Sequence, residues 1–322
     1  MNLGMMLPAE AFEFLSSLPQ MQDWSCVDLT KNPTLIPNSD IEVIWVEMNT
    51  MVSESFLNNF PNCRFILTAT TGTSHIDEEL LSSRRIKLVS LRDELNFLEK
   101  ITSTSEFALG LTLSVWRKIV LANSALTLKL KRNDLSSLQI RGRRIGIVGM
   151  GRIGRRLATY LKALECEIYF YDPKVESEIL VTECAYQVKS IEELCKQASI
   201  LVICASYNQN LMETYPIIKR SHISLMPKGS VIINVARGSL LDELAAFEAL
   251  EDGHLFGLGL DVLSDEDICA SKINVRQKAK DLATKGLNII VTPHIGGMSS
   301  DAYFDCYRFI AEKFLLEFNS LN

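Results

Sequence analysis

Ile145-Gly146-Ile147-Val148-Gly149-Met150-Gly151-Arg152-Ile153-Gly154 decides how this chain is read. Four residues of strand character run straight into G-x-G-x-x-G, and a helical stretch, Arg155 to Leu164, follows. In that context each glycine has a task. Gly149 allows a tight turn, Gly151 lets the backbone approach a pyrophosphate, and Gly154 lets helix and strand pack closely. Free N–H groups at the helix start then hold the phosphates, with Arg152 and Ile153 of the turn among the cofactor-binding residues. The next strand, Ile168-Tyr169-Phe170-Tyr171, ends at Asp172, 18 positions after Gly154, near the roughly 20 expected for a ribose-binding acid. An acid there accepts from ribose hydroxyls and repels a 2′-phosphate. This favours NAD over NADP, with Lys174 the one countervailing charge.

Outward from this motif the strand–helix rhythm continues. Strands are predicted at Arg144 to Val148, Glu167 to Tyr171, Ile200 to Cys204, Val231 to Val235, Leu255 to Val262 and Asn288 to Thr292, which implies a doubly wound sheet of six strands. Upstream, Ser25 to Leu29, Val43 to Val46, Phe65 to Leu67 and Ile86 to Val89 alternate with helical stretches near Ser53 to Asn59 and Ile76 to Ser83. Met1 to Leu7 shows no clear strand, which predicts a trimmed first domain. A long helix is expected from Thr104 to Leu130, N-capped by Thr104 or Ser105, and a last helix from Ser299 to Phe318. The 322 residues suit two domains of roughly 100 to 200 each.

Composition excludes several classes. A net charge of −6 without a basic stripe gives nucleic acid little to bind. The first residues carry acids rather than a secretory signal, and no apolar run approaches the roughly 20 residues of a membrane span. A cytoplasmic protein is expected. The eight cysteines show no CxxC pair and no metal-ligand spacing, so they read as free thiols and no metal is expected.

Chemistry-bearing residues gather at strand ends. Arg237, just past Ile232-Ile233-Asn234-Val235-Ala236, projects where open α/β sheets bind ligands, and its fork of donors suits a carboxylate. Pairing with Asp242 is the alternative for this side chain. Gly257-Leu258-Gly259-Leu260-Asp261 is a strand ending in an acid, Asp265-Glu266-Asp267 follows, and Thr292-Pro293-His294-Ile295-Gly296-Gly297 puts one of only four histidines at another strand end.

In that order GMGRIG, NVARGSLLDE, GLDV with Glu266 five residues after Asp261, and TPHIGG resemble the D-isomer-specific 2-hydroxyacid dehydrogenases from Leu67 onward. The resemblance implies an α/β chain of two Rossmann-like/flavodoxin-like domains, the larger a doubly wound parallel-sheet NAD-binding domain (104–296) inserted into a smaller substrate domain (1–103 and 297–322). It implies hydride transfer between NAD(H) and C2 of a small D-2-hydroxy acid or 2-keto acid. Arg237 matches the substrate-binding arginine, His294 the acid/base histidine, Glu266 its dyad acid and Asp261 the acid beside the nicotinamide. Thr71 and Gly72, within Thr70-Thr71-Gly72-Thr73-Ser74-His75-Ile76-Asp77, match the loop whose amides hold the carboxylate. Ala205, Ser206, Val235, Ala236 and Gly297 complete the cofactor-binding set. His294 stands 28 positions after Glu266, a long connection that leaves Asp265 and Asp267 as rival dyad acids.

The resemblance also implies a homodimer through the cofactor domains. Leu111, Leu113, Trp116, Ile119 and Leu121 occupy more than one face of the long helix; burial between two domains of one chain is the other account. Formate enzymes of similar scaffold pair histidine with glutamine, against which Glu266 argues. Dehydrogenases of phosphorylated hydroxyacids or phosphonate, and NAD(H)-sensing co-repressors of the same fold, remain alternatives. Only 25 residues follow Gly297, so a shorter enzyme without a regulatory domain is expected.

Overall fold

The computed structural model describes residues 2–31, 38–73, 75–124, 129–175, 185–206, 216–264 and 275–320. The chain divides into two compact units, residues 1–101 with 299–322, and residues 102–298. Both are α/β with parallel sheets.

Among its described residues unit 1 holds five strands, β1 (Asn2–Met6), β2 (Ser25–Asp28), β3 (Ile41–Val46), β4 (Phe65–Leu67) and β5 (Lys87–Val89), in the order β2-β1-β3-β4-β5. Successive side chains of a strand point to opposite faces. Val43, Trp45, Phe65 and Leu67 pack with helix α1 (Ala9–Ser17) and the C-terminal helix Ser300–Asn319. Ile44, Val46 and Ile66 pack on the other face with α2 (Glu54–Leu57) and α3 (Glu78–Ser83). α4 (Leu95–Leu98) follows β5. β1 overturns the expectation of a trimmed domain: it is the inner strand between β2 and β3, its register running Leu3↔Cys26 and Leu3↔Val43. It contains no β-branched residue, and it carries Gly4, where a Cβ would lie 2.8 Å from Leu29 Cδ1. Pairing on both sides overrides that weak propensity.

Unit 2 opens with α5 (Ser103–Trp116) and α6 (Ile119–Asn123). The single long helix expected here is broken at Lys118, whose φ of 52° is left-handed, and no Gly or Pro announces the break. Thr102 rather than Thr104 or Ser105 stands at its N-cap. Leu111 and Trp116 are core residues against Ile145 and Ile233, whereas Ile119 and Val120 are exposed. The sheet holds β6 (Arg144–Val148), β7 (Glu167–Tyr171), β8 (Tyr186–Gln187), β9 (Ile200–Ile203), β10 (Ser230–Asn234), β11 (Leu255–Leu260) and β12 (Ile289–Val291). Among the described residues seven strands replace the six expected, because the two-residue β8 pairs with β7. Their order, β12-β11-β10-β9-β6-β7-β8, reverses direction of growth between β6 and β9, which is a topological switch point. Helices α7 (Arg152–Ala163), α8 (Ile191–Gln197), α9 (Arg220–Leu225), α10 (Glu243–Glu251) and α11 (Val275–Thr284) connect the strands.

Candidate active site

At the switch point β6 delivers the glycine-rich turn. Gly149 has φ +91°, and a Cβ there would lie 2.5 Å from Ala205 Cα, so turn and β9 end touch backbone to backbone. A Cβ on Gly154 would lie 2.2 Å from Gly149 O, whereas one on Gly151 would meet nothing within 4 Å. Two glycines thus close the turn and the third leaves open space at the N-cap of α7. α7 starts at Arg152, three residues earlier than expected, and its first-turn amides, including those of Arg152 and Ile153, stand at the opening. Asp172 follows β7. One carboxylate oxygen accepts from Met150 N at 2.8 Å and the other from Lys174 N at 2.9 Å, so the acid also holds the turn in shape. The Cys204 thiol is pushed up to about 12 by burial and stays protonated at neutral pH.

β10, β11 and β12 end side by side on the same edge. Past β10, the fully buried Asn234 shapes the loop: its Nδ2 donates to Arg237 O (2.9 Å) and its Oδ1 accepts from Ala236 N (3.1 Å). The Arg237 guanidinium is half-buried and donates to Ala236 O at 2.7 Å. It does not take the alternative partner, because Asp242 accepts from Ala245 N at 3.0 Å as the N-cap of α10. Past β11, Asp261 is 1 % exposed. Its carboxylate accepts from Thr292 Oγ1 (2.7 Å), Ile295 N (2.9 Å) and Gly296 N (2.8 Å), and its carbonyl accepts from His294 N (2.8 Å). These bonds fold the loop after β12 around one buried carboxylate and hold His294 at φ 56°. A Cβ on Gly296 would lie 2.7 Å from Asp261 Oδ2, which leaves no room for a larger residue.

Residues 109–296, more than half the chain, match the family described as D-isomer specific 2-hydroxyacid dehydrogenase, NAD binding domain. The chain belongs to this family. Similar proteins include D-3-phosphoglycerate dehydrogenase of Methanocaldococcus jannaschii, 30% identical over 286 residues, covering 88% of this chain and 51% of that protein. Glyoxylate reductase of Pyrococcus horikoshii is 25% identical over 284 residues, 86% of this chain and 79% of that protein. The chain spans about half the length of the phosphoglycerate dehydrogenases it matches. Among solved structures, D-lactate dehydrogenase from Aquifex aeolicus, complexed with NAD and lactic acid, has the same fold, with TM-score 0.82 and 24% identity over 99% of this chain and 96% of that one.

In this member of the 2-hydroxyacid dehydrogenases, unit 2 brings Gly149, Gly151, Arg152, Ile153, Gly154, Asp172, Ala205, Ser206, Val235, Ala236, Arg237, Asp261, His294 and Gly297 to strand ends and connecting turns of one sheet. Thr71 and Gly72 lie in unit 1, after β4. The turn is braced by Thr70 Oγ1 donating to Gly72 O (2.8 Å) and Thr73 Oγ1 donating to Glu78 (2.6 Å). Among the described residues no carbonyl takes the Thr71 or Gly72 amide. Glu266, Asp265 and Asp267 lie outside the described residues.

Glu243 is the residue that sequence reasoning missed. It is buried, and it accepts from Ser264 N (2.9 Å) and Ser264 Oγ (2.5 Å). A Cβ on Gly238 would lie 2.1 Å from Leu263 C and Ser264 N. The Arg237 loop and the chain leading toward residue 266 are therefore clasped together. The available signal was Asp242-Glu243, two adjacent acids where one N-cap suffices.

Proposed function

We propose that the chain transfers a hydride between NAD(H) and C2 of a small D-2-hydroxy acid or its 2-keto counterpart. One observation carries this reading: Asp261 pins the His294 loop beside the Arg237 strand end, on the sheet edge that also bears the glycine-rich turn. A proton donor, a carboxylate binder and a pyrophosphate cradle then belong to one domain. Gly149, Gly151, Gly154 and the first-turn amides at Arg152 and Ile153 hold the pyrophosphate, and Asp172 holds the adenine ribose. Ala205, Ser206, Val235, Ala236, Asp261 and Gly297 line the remainder of the cofactor. Bound NADH supplies the hydride.

Arg237 and the amides of Thr71 and Gly72 bind the substrate carboxylate and orient C2. Alignment of this kind contributes roughly 7 to 11 kcal/mol. In the reductive direction, protonated His294 gives its proton to the carbonyl oxygen as hydride reaches C2, and Glu266 stabilises the imidazolium beforehand. Oxidation reverses both transfers. In this reading unit 1 is the substrate domain and unit 2 the cofactor domain. The enzyme works in the cytoplasm as a homodimer through unit 2, which the exposed Ile119, Val120 and Leu138 support. No helix among the described residues is long and apolar enough to cross a membrane.

The names of the relatives set the test panel: glyoxylate, pyruvate, hydroxypyruvate and 3-phosphohydroxypyruvate with NADH. Consumption of NADH with one of these is expected, and His294→Ala lowers kcat by roughly two to four powers of ten while NADH still binds. Tight NADH binding without turnover of any acid would replace this reading with an NAD(H)-sensing scaffold. Glu266→Gln moves the falling limb of the reductive pH–rate profile toward acid, since the imidazolium loses a negative neighbour. A shift in Asp265→Asn or Asp267→Asn instead reassigns the dyad acid.

A further inference from the structure

Unit 1 contains a carboxylate that the proposed chemistry leaves unused. β3 ends at Val46, and Glu47 follows at the carboxyl edge of the sheet, beside the strand end from which the Thr70–Thr73 turn departs. In the order β2-β1-β3-β4-β5 the direction of growth reverses at β1/β3, and ligands of open α/β sheets bind beyond the carboxyl ends at such a point. Glu47 Oε1 accepts from Tyr303 Oη at 3.0 Å and from Tyr307 Oη, and the two hydroxyls are 3.0 Å apart. Trp45 stacks on Tyr307 with ring centroids 5.4 Å apart and planes 8° off parallel, which holds that phenol in place. Burial, then the Glu47 charge, push Tyr307 upward. Burial raises Tyr303 to about 12 with a contribution from Glu47, so both remain donors at neutral pH. Nothing described donates to Glu47 Oε2, which keeps solvent access.

Two cations of the same edge are already committed. Arg92, past β5, grips Glu78 through two bonds of 2.9 and 2.5 Å. Lys313 pairs with Glu94 at 2.6 Å and donates to Ser90 O at 3.2 Å. The edge therefore presents amide donors at the end of β4 and, one strand away, a fixed carboxylate acceptor with no cationic partner among the described residues.

We propose that Glu47 is a specificity residue: it accepts a hydrogen bond from a hydroxyl or ammonium-type group on the substrate chain beyond C2, and it repels a phosphate or second carboxylate there. The proposal rests on the hydride-transfer reading, because carboxylate binding at Thr71 and Gly72 is what points the rest of the substrate along the sheet edge toward β3. A unit charge about 5 Å away at an effective dielectric near 20 changes binding by roughly two powers of ten, and screening at a half-open position leaves about tenfold or more.

The test compares kcat/KM for hydroxypyruvate, 3-phosphohydroxypyruvate and 2-oxo-5-guanidinopentanoate, each relative to pyruvate, in wild type, Glu47→Gln and Tyr303→Phe. Glu47→Gln keeps a carbonyl acceptor for the tyrosines and removes the charge. The bias against the phosphorylated acid is expected to shrink about tenfold in Glu47→Gln and to persist in Tyr303→Phe, which keeps the charge. Whichever donor-bearing acid loses more in Glu47→Gln identifies the group accepted. An unchanged bias in a folded Glu47→Gln overturns the proposal and makes Glu47 a fastening for the C-terminal helix. If wild type turns over none of the acids, calorimetric titration of each into NAD+-saturated protein separates the two readings. Weak binding of the phosphorylated acid, relieved by Glu47→Gln, keeps the specificity role without the hydride transfer. Equal binding of all the acids, or no binding, refutes it.

Discussion

Replacing Asp261 with asparagine measures what holds the His294 loop. The carboxylate takes three donors at 2.7 to 2.9 Å in a site 1 % exposed. Asparagine keeps an oxygen for Thr292 Oγ1 and Ile295 N but turns an N–H toward Gly296 N. One hydrogen bond to a charged acceptor is lost, worth about 1.5 to 3 kcal/mol, and the two that remain weaken to neutral strength. Relief of burying a charge offsets part of this, leaving about 3 kcal/mol. For a unit of this size each kcal/mol lowers Tm by about 2 to 4 °C, so a fall of about 6 to 12 °C is expected. Circular dichroism melting of the protein without and with NADH identifies the relevant transition as the one that ligand raises. A shift below about 2 °C in that transition would refute the clasp, because one lost charged bond alone exceeds it.

Gly154→Ala forces a Cβ to 2.2 Å from Gly149 O, so the turn must open; NADH fluorescence titration should show affinity falling by a factor of about a hundred or more. Asp172→Ser removes the acceptor of Met150 N as well as the 2′-phosphate repeller. NAD(H) affinity should fall while NADP(H) affinity gains little, and a large NADP(H) gain would mean that the turn does not depend on this acid. His75 is buried, its Nε2 has no partner among the described residues, and burial pushes its imidazole below the ordinary range. The unfolded chain therefore binds the proton more readily, so stability is full above the unfolded pKa near 6.5 and is lost as pH falls below it. His75→Gln should flatten the pH dependence of Tm between about pH 7 and 5; an equally steep variant would assign that slope to other groups.

The strand, glycine-rich turn and helix were legible in the sequence, because they and the acid that follows are features of short, local spacing. Gly154 answers to Gly149 O five residues back, Gly149 takes its positive φ within the same turn although it also abuts Ala205, and Asp172 follows the very next strand. Arg237 and His294 could be placed at strand ends because the apolar runs before them are short and clear. β1 was not legible: nothing in Asn2–Met6 prefers a strand, and its conformation comes from pairing with β2 and β3. The break at Lys118 was equally hidden, since the residue that turns left-handed there is an ordinary lysine. The resemblance placed Asp261 beside the nicotinamide, and only the fold showed that its buried carboxylate also folds the His294 loop, 31 to 35 residues along the chain. Glu243 gripping Ser264 and Glu47 held by Tyr303 and Tyr307 span 21 and about 260 residues. Sequence alone determined the elements whose cause lies within one turn or one strand; the tertiary structure decided which buried carboxylate meets which distant donor, because a charge out of water takes the partners that packing puts within hydrogen-bond reach.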